Sequence, residues 1–348
     1  MTNKENRIRE SNFELLRIIS MLMVVILHFG THGFSRYVNI PTFLTGINEF
    51  IYYFIRSLSI IAVNLYVLVS GYFLYKSQFK LKKLINLFLM TSFFSTIIYI
   101  LCILLGYTDF TFVSFIKSLF AVFFEQYWFV SLYFIMYILS PYLNRLIDHL
   151  NKKEHFNLLL ILVLITTVWQ FIYPIANIGV ASGYGLIYFL FLYLLAAYIR
   201  KYNFIMFDFG KNVYLILFIF LALFNAIIIY KFNDSLGQLY NYNSPITLLM
   251  SYCLFLYFKQ IKIKSRIINF TSVYVFGIYL IHEHPVVREI LWSKLGIIED
   301  VISTQTNFII LKFVCFSLLI FISCWFVSLI LNTIFNILFN KIFYCNRQ

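Results

Sequence analysis

Apolar runs of about twenty residues recur along the chain, separated by short stretches that hold most of its charge. A helix that crosses a bilayer needs about 20 mostly apolar residues. Ten such runs can be marked: 14–33, 54–75, 84–106, 126–146, 156–174, 184–200, 212–231, 244–260, 270–287 and 307–337. The last is long enough to tilt or break. The pattern predicts an all-α, polytopic membrane helix bundle of about ten transmembrane helices. It fills residues 1–348 as a single membrane domain, with no appended soluble domain, internal repeat or low-complexity linker. The segment 110–124 is apolar but interrupted by Lys117, which predicts an interfacial or re-entrant helix leading into span four.

Composition agrees. The chain is 62% hydrophobic and 12% charged, whereas a soluble domain is nearer half apolar with about a quarter charged. Forty-two Phe and 27 Tyr suit packed helices and aromatic belts. The net charge of +13 belongs to the connections between spans, so it reads as a topology signal and not as a nucleic-acid surface. With a cytoplasmic N-terminus, 20 of the 27 basic residues fall on the inner side. The positive-inside rule therefore predicts ten spans with both termini cytoplasmic. The N-terminus is basic and then apolar, but no small-residue cleavage site follows Leu27-His28-Phe29, so the first span is expected to be uncleaved. Cys102, Cys253, Cys315, Cys324 and Cys345 show no metal-like or redox-like spacing, and four of them lie in apolar runs.

The candidate chemistry starts in span one, which carries Glu14, Arg17 and His28 where lipid favours none. Eleven residues of α-helix rise about 16 Å and make about three full turns, so Arg17 and His28 leave nearly the same face. A cation near one membrane surface can hold a phosphate or carboxylate, and an imidazole inside the bilayer can move a proton. His32, one turn beyond, is placed to tune His28. The expected topology brings Glu49 and Arg56, the stretch Glu125-Gln-Tyr-Trp128, and Tyr279, His282, Glu283 and His284 to a similar outer depth. The string His282-Glu283-His284 has metal-binding residue types, but neighbours on a helix do not face one way. No metal is expected. Lys80, Lys82 and Lys83, with Lys76 nearby, form an inner cationic loop suited to a polyphosphate. No Walker loop, dinucleotide loop or nucleophile elbow is present.

Together these features resemble the acyltransferase-3 family of bacterial integral-membrane O-acyltransferases. The resemblance rests on Glu14-Leu-Leu-Arg17 followed by ten residues and His28, and on Asn64-Leu-Tyr-Val-Leu-Val-Ser-Gly-Tyr72 closing span two. It also rests on Trp128-Phe129 opening span four, with Pro141 at its end, and on Gly277-Ile-Tyr-Leu-Ile-His282. It covers essentially the whole chain. It implies transfer of an acyl group other than amino-acyl, usually acetyl, from cytoplasmic acyl-CoA across the membrane. The acceptor would be a hydroxyl of a surface polysaccharide or its lipid-linked precursor, and the location a bacterial cytoplasmic membrane. Acetyl-CoA is then a donor substrate, and no cofactor is bound permanently. His28 and Arg17 match the family's catalytic pair. Many members carry an arginine pair on the loop after span two. Here Lys80, Lys82 and Lys83 stand there as point charges without the guanidinium fork.

The resulting expectation has acyl-CoA phosphates near Arg17 and the lysine loop, and the pantetheine arm running along span one. His28 acts as base or transient acyl carrier. Glu14, Arg56, Trp128, Tyr279, His282 and Glu283 contact substrate, with Trp128, Tyr279, His282 and Glu283 on the acceptor side. A transporter or flippase for a lipid-linked sugar is the alternative, in which intramembrane Arg, His and Glu relay protons. The chain shows no inverted repeat to support it. A surface-polymer polymerase would be expected to have a larger outer loop.

Overall fold

The structure is a computed structural model that describes residues 10–174, 179–204, 209–232, 236–303 and 308–344. Lys4, Arg7, Arg9, Cys345 and Arg347 lie outside the described residues, as do the side chains of Lys294 and Lys341. Among the described residues every regular element is helical. The principal helices are α1 (Ser11–His28), α2 (Ile47–Ser59), α3 (Ala62–Leu74), α4 (Leu81–Leu104), α5 (Trp128–His149), α6 (Lys152–Val163), α7 (Leu186–Tyr202), α8 (Lys211–Lys231), α9 (Pro245–Gln260), α10 (Arg266–Ser272), α11 (Val275–His282) and α12 (Ile309–Tyr344).

Among the described residues, seven helical stretches are long and apolar enough to cross a membrane: Ser11–Tyr37, Ile47–Leu74, Leu81–Leu104, Trp128–His149, Lys152–Ile172, Lys211–Lys231 and Ile309–Phe339. The other three expected spans fall on shorter helices. α7 has 17 residues and α9 has 16. The expected span 270–287 is divided into α10, α11 and the short helix Pro285–Glu289. Pro285 lacks an N–H and has a fixed φ, so it opens a new helix where the expected span would have continued.

Other boundaries also moved. The second span starts at Ile47, earlier than expected, and turns at Ile60 and Ile61 between α2 and α3. α12 runs unbroken over 36 residues. Segment 110–124 holds one short helix, Phe112–Leu119, whose Thr111 hydroxyl caps the Ser114 amide at 3.2 Å. Pro141 lies inside α5, which runs to His149, a few residues past the expected end of span four at 146. A proline removes the hydrogen bond to the carbonyl four residues back. Here that carbonyl belongs to Tyr137, and the Ser140 hydroxyl donates to it at 2.7 Å.

α1 lies at the centre and packs against α2, α3, α9, α10, α11 and α12. Its first turn is tied to two neighbours. Asn12 Nδ2 donates to the Phe258 carbonyl at 2.8 Å, satisfying an acceptor in the last turn of α9. The Ser265 amide donates to Ser11 Oγ at 3.1 Å. Tyr66 on α3 donates its hydroxyl to the Arg17 carbonyl at 2.7 Å. α1 is therefore fixed in depth by polar contacts, which lipid-like packing alone does not provide.

Small residues set two close crossings. A Cβ on Gly71 would sit 2.9 Å from Tyr193 Cα, so α3 and α7 touch backbone to side-chain root. A Cβ on Gly277 would strike Ser328 Oγ, where α11 crosses α12. Tertiary packing of this kind follows the small-residue rule for membrane helices. Gly71→Val is expected to destabilise the bundle by about 1–3 kcal/mol through overpacking. Gly237→Ala, at an exposed position where nothing lies within 4 Å, is expected to change stability by under about 0.5 kcal/mol. Thermal unfolding of the detergent-solubilised protein compares the two; equal shifts would refute the crossing.

Candidate active site

Residues 17, 21, 24 and 28 recur at helical spacing, and in the structure Arg17, Met21, Val24 and His28 line one wall of a cavity of about 300 Å³. The opposite walls come from Val63, Tyr66 and Ser70 on α3, Trp128, Phe129, Val130 and Tyr133 on α5, and Tyr242. Leu87 on α4 and Val275, Phe276 and Tyr279 on α11 complete them. Arg17 and His28 mark its two ends, separated by the rise of three helical turns, about 16 Å. The lining is mostly apolar with a few polar groups, the usual make-up of a small-molecule site.

At the Arg17 end, Nη1 lies 2.6 Å from Glu14 Oε1, so Glu14 is the partner of Arg17. The guanidinium also lies 5.9 Å from the Phe73 ring centre. A second cavity, of about 260 Å³, shares Leu87, Tyr133 and Phe276 with the first and adds Leu74, Lys83, Asn86, Met90 and Tyr137. The two are neighbours across these shared side chains. Of the expected lysine set, Lys83 lines the second cavity. Lys80 exchanges backbone hydrogen bonds with the Tyr137 hydroxyl, at 3.1 and 3.2 Å, and its side chain and that of Lys82 are exposed.

The His28 end is built by a change of helix type. After His28 the chain widens into a π-helical turn over Phe29–Phe34. Such turns leave carbonyls poorly paired and recur at functional sites. Thr31 Oγ1 donates to the Leu27 carbonyl at 2.8 Å and Ser35 Oγ to the Gly30 carbonyl at 2.7 Å. These bonds hold the irregular segment in place.

His28 Nδ1 lies 2.9 Å from His282 Nε2 and 3.0 Å from Glu283 Oε1. His282 Nδ1 lies 2.6 Å from the Ile278 carbonyl, which can only accept. His282 Nδ1 therefore carries a proton, and in the neutral ring its Nε2 is an acceptor. His28 Nδ1 must then carry the proton between the rings, leaving His28 Nε2 with a free lone pair. One proton cannot serve two acceptors. Directed at His282, it leaves Glu283 Oε1 at ion-pair distance without an aligned hydrogen bond. That carboxylate also faces His32 Nε2 at 3.8 Å and Arg288 Nη1 at 3.6 Å. The His32 ring centre is 5.2 Å from that of His28.

His282 and Glu283 thus back His28 and do not form part of the cavity wall where acceptor contact was expected. His282 is fully buried. The three side chains have the composition of a His₂Glu metal set, and their ligand atoms lie within 4.8 Å of one another. The 2.9 Å between the nitrogens is a hydrogen-bond distance. A tetrahedral zinc bonded to both would hold them about 3.3 Å apart.

Trp128 and Tyr279 do line the cavity. The Tyr279 hydroxyl is buried, lies beside the Phe129 backbone amide and makes no full hydrogen bond among the described residues. Phe129 and Val130 belong to the first turn of α5, whose amides lack helical partners and form the positive end of its dipole. Arg56 is not in this site. Its guanidinium lies 3.9 Å over the Tyr240 ring, and it borders a separate cavity of about 10 Å³ with Ile26, Leu27, Gly30, Tyr52 and Phe313. The expected convergence of four stretches therefore holds for three around the cavity, with Arg56, on α2, beside Ile26 and Leu27 of α1. Tyr66, Tyr133 and Tyr242 were not singled out in the sequence. Aromatic residues are too frequent here for type alone to mark them.

No curated protein and no solved structure matches the chain. The Acyl_transf_3 family model, described as an acyltransferase domain, matches residues 10–332. That match spans nearly the whole chain and includes every residue of the cavity and of the His28 cluster, so the chain belongs to the acyltransferase-3 family of membrane acyltransferases.

Proposed function

We propose that the protein transfers an acetyl group from cytoplasmic acetyl-CoA to a hydroxyl of a surface polysaccharide or its lipid-linked precursor. In this reading it is a ten-span protein of a bacterial cytoplasmic membrane with both ends inside. One observation carries the proposal: a single cavity joins a cation, Arg17, to a histidine, His28, whose rear nitrogen is already engaged. The CoA phosphates sit at Arg17 and Lys83, and the pantetheine arm runs up the cavity to bring the thioester to His28. A flippase requires neither the engaged imidazole nor the acyltransferase family membership.

The chemistry follows from the tautomer. His28 Nε2 accepts the proton of the acceptor hydroxyl as its oxygen attacks the thioester carbonyl. The ester C–O bond forms, the C–S bond breaks, and the CoA thiolate takes the proton back from the imidazolium. Glu283 stabilises that imidazolium, and His282 fixes the ring. The Tyr279 hydroxyl and the first-turn amides of α5 stabilise the negative charge that develops on the carbonyl oxygen.

His28→Ala should abolish alkali-labile acylation of surface glycans, read by mass spectrometry in cells expressing equal amounts of protein. Glycans that keep the ester would refute His28, and glycans altered only in amount or length would favour the flippase. In detergent or vesicles, Tyr279→Phe should lower kcat by about 10²-fold with little change in donor KM. Arg17→Ala should mainly raise donor KM, about tenfold. Chelator treatment should leave the rate unchanged; a loss restored by zinc would convert the His28–His282–Glu283 cluster into a metal site.

A further inference from the structure

The turn before α7, Gly179-Val-Ala-Ser-Gly-Tyr-Gly185, is backbone-strained and locked. Ala181 and Ser182 have φ of 45° and 56°, and Gly179 and Gly183 have φ of 68° and 93°. Consecutive left-handed residues other than glycine are costly and persist only where the surroundings enforce them. The surroundings here do so. The Gly183 and Gly185 amides both donate to the Val180 carbonyl at 2.9 Å, and Val180 is fully buried. A Cβ on Gly183 would lie 2.6 Å from Tyr242 Cβ and 2.9 Å from the Asn243 amide. The Tyr242–Asn243 segment is itself anchored. The Tyr242 carbonyl accepts from Asn64 Nδ2 at 2.9 Å and from the Tyr188 hydroxyl at 2.8 Å, and Asn243 Nδ2 donates to the Thr166 carbonyl at 2.7 Å.

The product of this arrangement is the position of Tyr184. Its ring centre lies 4.6 Å from that of Trp128 and 4.8 Å from that of Tyr242. Trp128 and Tyr242 are 6.1 Å apart and nearly parallel. Both line the cavity, whereas Tyr184 does not and is 48% exposed. Three rings thus form a continuous aromatic path from the cavity at its His28 end to the surface. A tyrosine that merely anchors a protein at the bilayer interface has no need of strained backbone, nor of two ring contacts directed inward.

We propose that Tyr184, with Trp128 and Tyr242, is the acceptor subsite, and that it takes a pyranose ring. The C–H face of such a ring stacks on the electron-rich face of an aromatic. The Tyr184 and Tyr242 hydroxyls supply polar contacts at the rim. A sugar stacked there directs one hydroxyl down the path to His28. Tyr184 is a binding residue in this scheme and takes no part in the bond changes. The proposal rests on the acyl-to-sugar reading above.

The test uses the full chain in membrane vesicles, radiolabelled acetyl-CoA, and the total carbohydrate fraction of cells lacking the protein, stripped of esters with alkali. Labelled carbohydrate and free acetate are measured together against increasing acceptor. Tyr184→Phe, which keeps the flat ring and loses one rim contact, should raise the acceptor concentration for half-maximal labelling no more than about threefold. Tyr184→Leu, which keeps apolar bulk without a flat ring, and Tyr184→Ala should raise the acceptor concentration for half-maximal labelling about five- to tenfold. Donor KM and the slow release of acetate without acceptor should stay unchanged. If Leu matches wild type, Tyr184 only packs and the proposal falls. If the variants release acetate faster at unchanged acceptor KM, the rings are a water seal and the proposal again falls. If wild type labels no carbohydrate, the acyl-to-sugar reading itself fails and takes the subsite with it.

Discussion

The contact between His28 on α1 and the His282–Glu283 pair at the end of α11 constrains the rest of the bundle. Two imidazoles 2.9 Å apart and a carboxylate at 3.0 Å must be held in register, because each is a polar group removed from water. α1 must then reach a fixed depth, which its contacts to Phe258 and Ser265 set at the opposite end. α11 must approach closely, which Gly277 permits against Ser328. The cavity is the space left along α1 between these two fixed ends.

The polar side chains of the interior fall into two classes. Most satisfy backbone atoms that the fold leaves unpaired: Asn12 at the end of α9, Ser140 above Pro141, Thr31 and Ser35 around the π-helical turn, and Asn64 and Asn243 around Tyr242. In a low-dielectric interior an unmet carbonyl is costly, so these residues are structural. The second class has spare valence on residues that line the cavity: the Tyr279 hydroxyl, the free nitrogen of His28 and the first-turn amides of α5. Reaction chemistry belongs to this second class, because a group that is already satisfied has nothing left to offer a substrate.

Tyrosines illustrate why composition is a poor guide to role in this chain. Tyr66 holds a carbonyl of α1 and also lines the cavity. Tyr188 supports the Tyr242 carbonyl. Tyr184 is carried by a strained turn to the edge of an aromatic path. Tyr66 and Tyr188 sit in similar apolar runs of the sequence and Tyr184 in the turn before one, and their differences come from which backbone atoms and rings meet them.

What the sequence by itself determined was whatever a single helix decides. Apolar runs of membrane length mark spans one by one, because each helix satisfies its own backbone. The period of 3.6 residues puts Arg17, Met21, Val24 and His28 on one face. The motifs in spans one, two, four and nine carried the family resemblance, and the family match over residues 10–332 agrees with it. Span four runs through Pro141 to His149 because a neighbouring serine offsets the lost hydrogen bond. The tertiary structure alone decided the partners. His28 and His282 lie 254 residues apart, and helix period says nothing about which faces meet across such a separation. Only packing turned His282 and Glu283 toward His28, set Arg56 of α2 against Ile26 and Leu27 of α1, gave Lys83 a cavity wall, and brought Tyr184 onto Trp128.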